Sequence, residues 1–255
     1  MELSVIHLIL GLLGIGAGLL GGVIGFGTTI ILMPPLVYLH GSLLTIPIIA
    51  ITATIANLAR VFIWWRSIDW KVCAVYAASA IPAVILGANT LILLNPRAIE
   101  IVLGLFLLFL IPIRRWMRRQ EIVVSLWHMA LVGAGIGYLT GIVATTGAIN
   151  TPFFLAYGLT KGAYLGTEAA SSLSIFITKG VVFHELGVID RVAILEGLFL
   201  GVCVFIGSLL SKRIVLKMRE EQFIQMMEWV IAISGIAILM MSMIHQRVVL
   251  SFPAS

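Results

Sequence analysis

The sequence predicts an all-α polytopic membrane protein of two homologous halves, with eight long transmembrane helices and two short broken or re-entrant arms. Three observations carry this. Hydrophobic residues make up 61% of the 255 positions, charged residues 11%, and the mean hydropathy is +1.15, whereas soluble domains carry about 25% charged residues. Apolar runs of the roughly 20 residues that a crossing helix needs recur from Leu3 to the region of Met243. Finally, residues 11–39, GLLGIGAGLLGGVIGFGTTIILMPPLVYL, return in altered form at 133–159, GAGIGYLTGIVATTGAINTPFFLAYGL. The chain therefore reads as a single transmembrane domain, 1–255, with one repeat over about 1–120 and the second over about 121–255.

Each repeat opens on a glycine-rich helix, expected at 4–24 and 124–143. The N-terminal stretch MELSVIHLIL has no basic n-region and runs straight into glycines instead of a cleavage site, so it reads as a helix and not a signal peptide. Glycine costs a helix about 1 kcal/mol relative to alanine, so glycines 14, 16, 18, 21 and 22 need another cause. The spacings Gly18-x-x-x-Gly22, Gly21-x-x-x-Gly25 and Gly137-x-x-x-Gly141 supply one in close helix–helix contact.

A break and a short arm follow, 28–39 in the first half and 148–159 in the second. Here Gly and Thr (Gly25, Gly27, Thr28, Thr29; Thr145, Thr146, Gly147, with Asn150 just beyond) precede Pro34, Pro35 and Pro152. Unwound backbone at membrane depth is tolerated where it lines a cavity or is buried by protein, and paired broken helices in repeated halves point to a transporter's binding site. Half-helices starting at such breaks direct free N–H groups and a positive dipole end inward, which suits an anion. Carbonyls of the same backbone could instead hold a cation.

Three long helices complete each half, at 44–65, 70–93 and 97–113, then 165–185, 191–211 and 223–244. Ser67-Ile68-Asp69 and Val188-Ile189-Asp190 mark corresponding turns. Arg60 and Lys179 precede these aspartates by similar distances; an intramembrane cation is a site candidate or a snorkelling residue. Asn57, Ser171, Ser172, Ser174 and Thr178 could line the same cavity or bond helix to helix. Glu168 and Glu196 suit proton coupling, but both also lie near helix starts, where a carboxylate complements the dipole, and this plainer reading is preferred.

Basic residues give the orientation. With an odd number of crossings per half and the linker 114–119 cytoplasmic, 12 of the 16 basic residues fall inside: Arg60, Arg66, Lys71, Arg114, Arg115, Arg118, Arg119, Lys161, Lys212, Arg213, Lys217 and Arg219. An even number places the Lys212 to Arg219 cluster outside, against the positive-inside rule, so inverted halves are favoured. The same clustering in short loops argues against nucleic acid as a partner. The expected surroundings are the lipid bilayer of the cell membrane (the inner one in a Gram-negative cell), and the glycine-rich helices would also serve homodimer contacts.

Cys73 and Cys203 lack a CxxC partner, the five histidines show no HExxH or HxH spacing, and no Walker A or GxGxxG element follows a strand. No cofactor, no metal and no enzyme activity are expected. The break segments GGVIGFGTTIILMPPLV and TGIVATTGAINTPFFL, with the SID and VID turns, resemble the sulfite exporter TauE/SafE family of membrane transporters over nearly the whole chain. The resemblance implies movement of a small, often sulfur-containing anion such as sulfite or an organosulfonate, driven by an ion gradient. Thr28 and Thr29 stand where the family typically carries the last two glycines of a triplet, so a particular substrate is not carried over. A channel or cation transporter of the same architecture is the alternative, with a membrane-embedded enzyme or scaffold behind it.

Overall fold

The computed structural model describes residues 2–93, 124–142, 147–185, 190–227 and 229, and every extended element among them is helical. The chain enters through α1, Glu2–Ile24, and breaks at Gly25, whose φ of 103° is a left-handed conformation suited to glycine. Next comes α2, Gly27–Trp64, itself interrupted at Gly41 (φ 74°, ψ 168°), so that residues 27–40 form a short arm and 42–64 a long helix. A 3-10 turn, Trp65–Ser67, leads to α3, Trp70–Leu93. The second half contributes α4 (Leu126–Ile142), the short arm α5 (Gly147–Ala156), α6 (Lys161–Glu185) and α7 (Arg191–Lys217). The expected 97–113 helix, the 114–119 linker and residues 228 and 230–244 of the expected 223–244 helix lie outside the described residues.

Length separates arms from spans. At about 1.5 Å per residue, residues 27–40 cover roughly 21 Å and α5 roughly 15 Å, against a hydrocarbon core of about 30 Å. The first arm doubles back along α1: the Thr28 hydroxyl donates to the Ala17 carbonyl at 3.3 Å, and Gly21 has no side chain where Thr28 sits. Among the described residues, four helical stretches are long and apolar enough to cross a membrane, Ile6–Ile24, Pro47–Ser67, Trp70–Thr90 and Arg191–Lys217. The 25-residue α6 has the length but is more polar, because its inner face buries Thr167, Glu168, Ser171, Ser172 and Lys179. The chain is a multi-pass helical membrane protein. Its outer surface exposes Leu8, Leu12, Phe62, Leu86, Leu195, Val202 and Leu210, side chains that lipid solvates.

The glycine-rich helices pack across the halves. Running in the same direction as α7, α1 sets Gly14 against Leu200 and Cys203, Gly18 against the Val204 backbone, and Gly22 against Ser208 and Ser211. In the same way α4 runs alongside α3, with Gly133 against Tyr76 and Ser79, Gly137 against Ala80, and Gly141 against Val84 and Ala88. Small residues let the backbones approach and bring polar bonds with them: the Ser208 hydroxyl donates to the Gly18 carbonyl at 3.2 Å, and that of Ser79 to the Ala130 carbonyl at 2.7 Å. The long part of α2 lies parallel to α7, with Gly197 beside Ile48 and Ile51 and Gly201 beside Ile55. It is antiparallel to α6, where Gly162 and Gly166 admit Trp64.

Two apolar clusters flank this seam. One gathers Leu10, Leu32, Leu36, Ile48, Leu200 and Val204 around α1, α2 and α7; the other gathers Tyr76, Met129, Phe154, Tyr164 and Phe223 around α3 to α6. Equivalent aspartates start equivalent helices: Asp69 accepts from the Lys71 and Val72 amides at 3.0 and 3.2 Å, and Asp190 from the Ala193 amide at 2.7 Å. An N-cap of this kind contributes about 1 kcal/mol. Asp190→Ala should therefore lower the detergent melting temperature by a few degrees while leaving the circular-dichroism spectrum helical.

Candidate functional site

The start of the second arm lies against the first chain break. A side chain on Gly147, the first residue of α5, would collide with Phe26 in the first break, and one on Gly25 would sit 3.0 Å from the Tyr164 hydroxyl and 3.2 Å from an Arg60 nitrogen. Between them lies a cavity with about 30 Å³ of free space. Since one water needs about 10–15 Å³ measured this way, the space accepts only a few atoms in this conformation. Gly25, Thr28, Thr29, Asn57 and Arg60 line it from the first half, and Thr140, Gly147, Asn150, Glu168 and Ser172 from the second, with Phe26, Ile175 and Phe176 as apolar wall.

Both arms begin at this cavity. The first turn of α2 has no side-chain cap, since Phe26 occupies the N-cap position. The first four amides of a helix have no intrahelical acceptor, so this helix start, which lines the space with Thr28 and Thr29, brings the positive end of its dipole beside it.

The positive charge in the wall comes from Arg60, only 4% exposed, carried by α2 four residues before its end. Its Nη1 donates to Glu168 Oε2 at 2.7 Å, and its Nη2 donates to Asn57 Oδ1. Glu168, 2% exposed, accepts at Oε1 from the Ser172 hydroxyl at 2.6 Å and from Asn150 Nδ2 at 3.5 Å. Asn150 is oriented in turn by the Tyr76 hydroxyl, which donates to its Oδ1 at 3.1 Å. Taking two charges out of water is costly unless the pair is close and its remaining valences are filled. Here hydrogen bonds from α5 and α6 fill them on the carboxylate side.

Of the residues singled out from sequence, Gly25, Thr28, Thr29, Asn57, Arg60, Gly147 and Asn150 are brought together at the cavity. Gly27, Ser171 and Lys179 are not part of its wall. Gly27 packs against the α1 backbone at Leu20 and Gly21. Ser171 is buried beside the seam. Lys179 Nζ donates at 2.8 Å to the Thr140 carbonyl in the last turn of α4 and lies over the Phe183 ring; a cation there satisfies a helix-end carbonyl. Thr145 and Thr146 lie outside the described residues.

Glu168, weighed from sequence for proton coupling and set aside as a helix-start carboxylate, also stands in the cavity wall. It lies in the second turn of α6, and its carboxylate turns inward to Arg60, 108 positions away, rather than serving the helix start. Its spacing from Ser172, one helical turn, was the available signal. Glu196, the other carboxylate, pairs with His7 of α1 at 2.9 Å, away from the cavity. Among the described residues no group of three His, Cys, Asp or Glu side chains could hold a metal.

A family model described as sulfite exporter TauE/SafE matches residues 10–238, most of the chain. No curated protein and no solved structure matches it.

Proposed function

We propose, from the premise that this chain belongs to the sulfite exporter TauE/SafE family, that it is a secondary transporter carrying a small sulfur-containing oxyanion, such as sulfite or a short sulfonate, across the cell membrane at the expense of an ion gradient. The observation that carries this reading is the meeting of the first helix break and the start of the second arm at one cavity with a guanidinium in its wall. Uncapped amides, the Thr29 hydroxyl and Arg60 are the donor set an oxyanion needs, and the small free volume favours a compact solute.

The helix directions support inverted halves and hence alternating access around a fixed site. Helices α1, the long part of α2, and α7 run one way; α3 and α4 run the other. The two glycine-rich helices, α1 and its copy α4, are thus opposed. The cationic turns share one end of the bundle: Lys161 Nζ donates to the Met218 carbonyl, Lys212 lies over the Trp64 ring, and Arg66 and Lys71 flank the α2–α3 turn. That end is the cytoplasmic one under the positive-inside rule.

The test is counterflow in liposomes. Wild-type protein should take up labelled sulfite saturably and faster when unlabelled sulfite is inside, and Thr29→Val should raise the KM by about tenfold, as loss of a hydrogen bond to a charged group does. Flux that neither saturates nor responds to trans substrate would mean a channel instead.

A further inference from the structure

The cavity's arginine is already held by a carboxylate of the protein. With Glu168 Oε2 2.7 Å from Arg60 Nη1, an entering anion meets a cation whose charge is neutralised. It can take that place only by displacing Glu168. A carboxylate expelled from its partner would be a buried, uncompensated charge, which is strongly unfavourable. A carboxylic acid would be neutral and would keep company with Ser172 and Asn150, its neighbours at Oε1. We propose that Glu168 is the coupling residue of this transporter: a proton from solution binds its carboxylate as a monovalent anion replaces it on Arg60, so that proton and anion load together and leave together.

This inference rests on the anion-carrier reading above and names its driving ion. Charge balances, because Glu168 gains one proton as the site gains one negative charge, and the only covalent bond formed and later broken is the carboxyl O–H. The groups facing Glu168 leave it this role. From α2 come Arg60 and Asn57, from α5 Asn150, from α3 Tyr76 and Cys73, and from α6 itself Ser172 and Tyr164. Among the described residues, Arg60 is the cation in contact with it. Lys179, further along α6, is bonded to the Thr140 carbonyl.

Two consequences follow from linkage. Because one proton loads with each anion, apparent affinity for a monoanion should weaken as the pH rises, by up to about tenfold per unit. Transport should also be electroneutral and indifferent to membrane potential. Methanesulfonate is the probe of choice because it stays a monoanion, whereas sulfite itself titrates near neutrality and would imitate coupling. With the full-length protein in liposomes carrying an internal pH dye, methanesulfonate entry should bring in about one proton per anion and should accumulate when the outside is acidic. Glu168→Gln, neutral and isosteric, should still exchange methanesulfonate, with an affinity that no longer varies with pH and without acid-driven accumulation.

Wild-type uptake without proton movement would overturn the proposal. So would Glu168→Gln that still accumulates the anion on a pH gradient, or that folds yet exchanges nothing. If the variant does not fold, the wild-type proton count decides alone. Absence of any sulfite or methanesulfonate exchange by folded wild-type protein would instead remove the anion-carrier reading itself.

Discussion

Arg60→Gln should abolish saturable anion transport and destabilise the protein by about 3–5 kcal/mol, because it leaves Glu168 as an unpaired buried charge. The Arg60–Glu168 contact joins α2 of one half to α6 of the other, so its loss loosens the seam as well as the site. Adding Glu168→Gln to Arg60→Gln removes both charges and should return most of the melting temperature while transport stays absent. Thermal unfolding in detergent and liposome flux, measured on the single and double variants, separate the two effects. Transport that persists in the folded double variant would exclude Arg60 as the anion's partner.

Gly18→Leu should prevent correct assembly, at a cost of about 3 kcal/mol or more, which places it among the most damaging single substitutions. An added side chain at Gly18 meets the Val204 backbone, and backbone cannot swing aside as a side-chain tip can. Its counterpart Gly137→Leu meets the Ala80 backbone at the second copy of the interface and should behave alike. Gly16 has nothing within 4 Å of an added Cβ; Gly16→Leu should stay within about 0.5 kcal/mol of wild type. Monodispersity in detergent and protease resistance of the three variants test the contrast. Equal behaviour of Gly16→Leu and Gly18→Leu would mean that α1 does not pack on α7 through this face.

The sequence by itself determined the elements, because each has a local physical signature. Hydropathy marks α1, α3 and α7 as spans, Asp69 and Asp190 announce the starts of α3 and α7, and the Gly/Thr runs before proline locate the arms. The spacing Gly18-x-x-x-Gly22 even tells which face of α1 packs. Partners are a different matter, since contact between residues far apart in the chain leaves no trace in a single sequence. Only the tertiary structure decided that α1 packs on α7 and α4 on α3, across the repeat boundary instead of within it. It also decided that Lys179 serves the end of α4, although its sequence position mirrors that of Arg60. Above all, it turned Glu168 from a helix-start carboxylate into the counter-charge of Arg60. Local sequence records which groups a helix carries, whereas the electrostatic role of a buried charge depends on what the opposite helix brings within about 3 Å of it.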